Sequence, residues 1–269
     1  KGEYFWPQFG DYMAWNQMLT GDDQCRKRAA FALSEFFVVS LDPIDGFWPP
    51  YMIAAYWALL CRYAFGNFRD LLEAVTLNAA MGLYLNTKGN VKGDPETGRQ
   101  PDENYAREIM QLFTIGLYEL NGDGTLKRDA AGEPIETYGQ DDITNLARVF
   151  TGYDYSYKNN EPTEVAWLDF AVPSPSFCID RMALDPDKHS VEDVTFLGLS
   201  IPGWLHPSRK MDAALDHLFN HPNVGPFFGR QMIQRLVTGD PSPAYVGRVA
   251  AAFADNGEGV RGDLKAVWR

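Results

Sequence analysis

The sequence predicts a mainly α-helical protein: a single orthogonally packed multi-helix domain over residues 1–269, with one small β-hairpin at about residues 125–138. Three observations carry this prediction. Apolar residues recur at helical spacing through most of the chain. Ser, Asp, Asn and Pro stand where those stretches begin, and Gly or Pro where they stop. Only one segment shows β-prone runs on both sides of a turn.

In chain order, Asp22 or Asp23 is placed to cap a helix through "CRKRAAFALSEFFVVS", in which Phe31, Phe36 and Val39 share a face. "FWPPYMIAAYWALLCRYAFG" puts two prolines where a first helical turn tolerates them and ends on Gly66, a candidate C-cap. Asn67 and Asp70 start the next helix, "FRDLLEAVTLNAAM". "PDENYAREIMQLFTIG" opens on carboxylates and closes on a glycine, and "QDDITNLARVF" follows beyond the hairpin. Ser208 opens "RKMDAALDHLFNH", which Pro222 stops. "VGPFFGRQMIQRLVTG" then runs to Gly239, and "SPAYVGRVAAAF" starts with Ser242 as cap and Pro243 in the first turn. Roughly seven or eight helices result.

The hairpin is the exception. In "TLKRDAAGEPIETY" two short β-prone runs flank "DAAGEP", and Gly132 suits a turn conformation that other residues resist. Residues 153–207 are richer in Pro, Asn and Ser and predict an irregular excursion within the domain. After Gly259 the periodicity continues to Arg269 without a stop signal, so the chain is expected to be a piece of a longer protein.

Composition narrows the function classes. A content of 45% hydrophobic and 14% aromatic residues is ample for a packed core. A formal charge of −12 disfavours nucleic acid and anionic lipid, since binding either depends on Lys and Arg meeting phosphates, and points to cationic, neutral or protein partners. No apolar run approaches the roughly 20 residues that span a bilayer. "KGEYFWPQFG" at the start lacks the apolar core of a signal peptide. The three cysteines, Cys25, Cys61 and Cys178, form no metal-type pair, and Cys61 follows an apolar run as a core residue would.

Long stretches of the chain resemble one family. "AFGNFRDLLEAVTLNAAMGLYL", "PDENYAREIMQLFTIGL", "YGQDDITNLARVFTGY" and "LDHLFNHPNVGPFFGRQMIQRLVTGDPSPAYVGRVAAAF" are similar, in this order, to blocks of the bacterial family called domain of unknown function 1800. The resemblance runs from about Arg26 to Arg269. It implies a bacterial protein, often exported, and therefore a periplasmic or extracellular location; it implies no established reaction. Its genes commonly neighbour those of a second family related to sulfatases and phosphatases, which points to another secreted protein as partner. Many relatives carry "E-L-H-T-L-G" where this chain has "Q-L-F-T-I-G", so Gln111 and Phe113 replace a Glu and a His. Any metal role for that helix in relatives would lose two ligands here.

The helix within residues 101–121, "PDENYAREIMQLFTIGLYELN", holds the most informative pattern. Tyr105, Ile109, Leu112 and Phe113 form an apolar stripe expected to face the core, while Asn104, Arg107, Glu108 and Gln111 form a polar one. Asp102 and Glu103 in the first turn suit the positive end of the helix dipole, which suffices to explain them. The polar stripe has three readings: a solvated face, a buried hydrogen-bonded network, or a binding or catalytic site. The network is preferred, because neutral amides beside an Arg and a carboxylate can close such a network. On that reading Arg107 is buried and paired with a carboxylate, and the partner helix is the one carrying Asp141, Asp142 and Asn145.

Other motifs are weaker. His217 and His221 have the spacing of zinc ligands on one helix face but lack the Glu of "HExxH", and Pro222 puts His221 in a last turn where it can serve the helix end. No metal is predicted there, although His189, His206, Asp185 and Asp187 would be the further ligands. "LNGDGTLKRDA" fails as a calcium loop because Ala130 stands where a bidentate Glu is required. The aromatics of "GYDYSYKNN" and "GFWPPY" could stack on sugars, but core packing explains them as well. No phosphate loop, dinucleotide fingerprint or nucleophile elbow is present, and no cofactor is predicted. The chain is thus expected to be a non-catalytic exported or envelope-associated scaffold. The alternative is a hydrolase or oxidoreductase acting on an anionic or saccharide substrate with Arg107 and Glu108 in its site.

Overall fold

Asn67 shows how local chemistry starts an element in this chain. Its side-chain oxygen accepts the Arg69 N–H at 2.9 Å, as an N-cap should, and opens α4 (Phe68–Thr76). The computed structural model describes residues 6, 8–40, 48–158, 160–162, 164 and 171–269. Residues 46 and 47 of the aromatic stretch at 46–51 lie outside them.

Among the described residues the protein is mainly α-helical. Ahead of α4 come α1 (Gln8–Thr20), α2 (Gln24–Ser34) and α3 (Pro49–Tyr63). After it come α5 (Ala79–Tyr84), α6 (Asn104–Gln111) and α7 (Gln140–Ala147), the last running into a 3₁₀ turn at Arg148–Phe150. A stretch of short elements follows: β1 (Tyr153–Asp154), α8 (Ser176–Ile179), β2 (Ala183–Leu184), β3 (Val194–Phe196) and β4 (Leu199–Ile201). The chain then returns to helices with α9 (Pro207–Asn220), α10 (Val224–Leu236), α11 (Pro243–Ala254) and α12 (Leu264–Val267).

Several predicted boundaries shift for local reasons. The helix expected through "FRDLLEAVTLNAAM" is two, because the Asn78 side-chain oxygen accepts the Ala80 N–H at 2.9 Å and starts α5. α2 stops at Ser34, so Phe36 and Phe37 enter the core from a turn. Gly66 is not the cap of α3, which ends at Ala64 in right-handed geometry. His206 rather than Ser208 caps α9, its ring nitrogen accepting the Ser208 N–H at 3.3 Å. α1 has no counterpart among the predicted helices.

The predicted hairpin forms, with Gly132 at φ 88°, but it is joined by a third segment, 117–121. The Lys127 N–H donates to Glu119 O (2.8 Å), the Glu119 N–H to Ile135 O (2.8 Å), and the Ile135 N–H to Lys127 O (3.2 Å). Three segments that each pair with both others close on themselves instead of lying as an open sheet. The two named sheets lie instead within 153–207, where β1 pairs with β2 and β3 with β4, both antiparallel.

Phenylalanines from distant segments form the centre of the core. Phe37 lies 5.2 Å from Phe113 and 6.0 Å from Phe68; Phe68 lies 4.9 Å from Phe228 and 5.3 Å from Phe253; Phe36 lies 5.2 Å from Phe228. These are edge and tilted contacts of the kind aromatic quadrupoles favour. Tyr105, Ile109 and Phe113 are buried as expected, but Leu112 is 44% exposed. The Phe113 N–H reaches back to Glu108 O and the Ile115 N–H to Met110 O, which widens the last turn of α6 and rotates Leu112 off the buried face.

Buried ionisable groups set an acid limit on this core. His189 is buried, its Nδ1 lies 2.8 Å from Thr151 O, and its Nε2 has no partner among the described residues. Burial pushes its pKa down, and the nearby Lys210 adds to the effect. Burial also lowers the pKa of His221. In the unfolded chain both protonate near pH 6.5, while in the folded chain they resist, so stability is full above about pH 6.5 and falls as the pH drops through that value. Glu108, whose pKa burial raises, acts in the opposite direction. The denaturation midpoint should therefore fall between about pH 7 and 5, and His189→Gln should flatten that slope. An unchanged slope in the variant would show that His189 does not contribute.

Candidate functional site

α6 and α7 are joined by a polar contact whose hub is Glu103, just ahead of α6. Its Oε2 accepts from the Gln140 carboxamide at 2.8 Å, and its Oε1 from the Thr144 hydroxyl at 2.7 Å. Arg107 reaches the same Oε2 at 3.5 Å and Gln140 Oε1 at 3.4 Å. The carboxylate paired with Arg107 is thus Glu103, one helical turn back, and the Arg107 side chain is 40% exposed. The fully buried network expected for this stripe is replaced by a half-exposed one, because the hairpin segments leave one side of α6 open.

That opening is a cleft of about 240 Å³ whose wall includes Arg107, Gln111, Tyr118, Glu136, Tyr138 and Gln140. The Tyr138 hydroxyl donates to Gln111 Oε1 at 3.3 Å, leaving the Gln111 amide N–H groups without an acceptor among the described residues. Burial raises the Tyr138 pKa, the Arg107 charge opposes this, and Glu108 and Glu136 add to it. Glu108 sits behind the wall. Burial raises its pKa against the pull of Arg107, and its Oε2 is enclosed without a hydrogen-bond partner. Such a carboxyl gives up its proton less readily than a solvated one.

The remaining predicted residues go elsewhere. Asn104 donates its backbone N–H to Asp102 Oδ1 at 2.8 Å. Asp141 is exposed. Asp142 is structural: one oxygen accepts the Gly139 N–H at 2.8 Å and starts α7, and the other accepts the Leu197 N–H at 2.7 Å, fixing the β3–β4 turn. His217 and His221 do not converge on a common point: His217 Nε2 lies 3.0 Å from Leu197 O, and His221 Nδ1 accepts the Asn223 N–H at 3.2 Å. Asp185 caps the 3₁₀ turn Pro186–Lys188. Among the described residues no group of three or more His, Cys, Asp or Glu is arranged to hold a metal ion. No described helix is long and apolar enough to cross a membrane.

A family profile described as "Protein of unknown function (DUF1800)" matches residues 10–269. The chain belongs to the DUF1800 family. Comparison of this DUF1800 member with curated proteins and with solved structures finds no match in either.

Tyr118, Glu136, Tyr138 and Gln140 line the DUF1800 cleft but carry no sequence motif, and Glu103 beside it holds the contact between the helices. In the sequence, Glu103 was explained by the helix dipole alone. Tyr138 and Gln140 flank Gly139 at the start of the predicted partner helix, and that adjacency was the one available signal.

Proposed function

We propose that this DUF1800 protein is a non-catalytic, exported or envelope-associated scaffold that receives an acidic segment of another secreted protein in the cleft between α6, α7 and the hairpin. One observation carries this reading. Arg107 is held only by contacts of 3.4 and 3.5 Å and stands half exposed at the cleft, beside the unengaged amide N–H groups of Gln111. A guanidinium in that position can turn to a bidentate carboxylate without first breaking a strong pair. The assignment to an exported location rests on the family resemblance, and cell fractionation that finds the full-length product only in the cytosol would remove it.

Arg107→Ala separates recognition from folding. An exposed pair of this kind is worth no more than about 1 kcal/mol, so the variant should unfold near the parent's midpoint. A fluorescein-labelled peptide of alternating Glu and Ser should bind the parent and lose at least about tenfold affinity in the variant. Equal binding by both proteins, or by neither, would overturn the reading.

The enclosed, unpartnered Glu108 oxygen favours a second reading, an enzyme acting on an anionic or saccharide substrate with Glu108 as proton donor and Arg107 as anion clamp. Release of reducing ends from an acidic polysaccharide, lost in Glu108→Gln, would establish it over the scaffold.

A further inference from the structure

A second cleft, of about 320 Å³, lies between α3, α4 and the segment leading into β2, and it shares no lining residue with the first. At its wall is Asn78, only 5% exposed. The Asn78 oxygen is committed to capping α5, which orients the carboxamide, yet its NH₂ group has no acceptor among the described residues. That nitrogen is not itself enclosed, so it is open to the solvent of the cleft. Arg62, on the same cleft, also makes no hydrogen bond or ion pair among the described residues.

The acidic groups nearby do not supply the missing acceptor. Glu73 is fully occupied, with one oxygen on Arg181 at 2.5 Å and the other on Arg69 at 3.0 Å. These two arginines hold its pKa down despite burial. The antiparallel bridge between Asn78 and Arg181 keeps the second guanidinium at the cleft. The open valences are therefore donors: the Asn78 amide, Arg62, and the N–H groups of Arg181 that Glu73 does not use. Leu59 and Ile179 supply apolar wall beside them, and Asp70 on the same lining would repel a second negative charge.

We infer that this cleft binds a singly charged carboxylate with a short aliphatic body, its carboxylate on Asn78, Arg62 and Arg181 and its chain against Leu59 and Ile179. Phosphate suits it less, because the dianion would meet Asp70. The volume is at the small end of ligand pockets, which fits such a molecule.

Isothermal titration of the chain with 4-methylpentanoate, its neutral amide and inorganic phosphate tests this. Saturable binding of the carboxylate alone is expected, weakened about tenfold or more in Arg62→Ala, an exposed position where the fold has nothing to lose. Asn78→Asp keeps the capping oxygen but replaces the donor with an acceptor, and should abolish binding while the unfolding midpoint shows that the chain remains folded. Absence of saturation up to about 10 mM, corresponding to a binding free energy weaker than about −2.7 kcal/mol, would overturn the inference. So would equal binding of the amide, or an Arg62→Ala variant that binds like the parent.

Discussion

Phe113→Ala is expected to lower the unfolding free energy by about 3–5 kcal/mol, while the adjacent Leu112→Ala should cost well under half as much. The two side chains follow one another in the sequence but have opposite surroundings. Phe113 is 1% exposed and touches the rings of Phe36, Phe37 and Tyr105, so its loss removes both transfer energy and the edge contacts of the aromatic cluster. Leu112 is already 44% exposed. Phe113→His should also destabilise, since an imidazole placed among those rings would have to find partners for its nitrogens or lose them from water. Urea denaturation of the three variants reads this directly. A Leu112 variant as damaged as the Phe113 one would show that the helix continues past Gln111 in solution.

Asn223→Ala should have an effect of similar size for a different reason. Its side chain is fully buried and serves three backbone groups: its amide donates to Ile115 O and Tyr118 O, both at 2.8 Å, and its oxygen accepts the Leu120 N–H at 3.0 Å. These groups belong to the loop that leaves α6, and a single amide fastens it to the start of α10. Alanine would strand two carbonyls and one N–H; the Ile115 bond is buried and the other two part-buried, so the total loss is about 3 kcal/mol. Asn223→Asp should be at least as damaging, because a carboxylate would face two carbonyl oxygens. Hydrogen exchange should then accelerate at Leu120 before the phenylalanine core opens. Unchanged protection at Leu120 would sever the proposed link.

Much of the architecture was legible in the order of residue types. The starts of α4 and α11 could be read directly, because Asn67 and Ser242 carry their caps within two or three residues along the chain. The hairpin turn at Gly132 was legible for the same reason. α1 escaped notice because its apolar residues ring the helix and give no one-sided stripe: Gly10 is its buried residue, and Tyr12, Trp15 and Leu19 remain exposed. The split at Asn78 was missed because the apolar periodicity runs through it without a break.

For the candidate site, sequence alone determined that α6 has an apolar face and a polar face, since helical geometry converts spacing into direction without outside help. The pairing of Arg107 with Glu103 is a local i,i+4 contact that spacing alone allows; how exposed that pair is, and where Leu112 points, were decided only by the tertiary structure. The reason is physical. A side chain's exposure depends on which segments arrive from elsewhere in the chain, and Asn223, which fastens the loop leaving α6, comes from a position that no local pattern ties to α6.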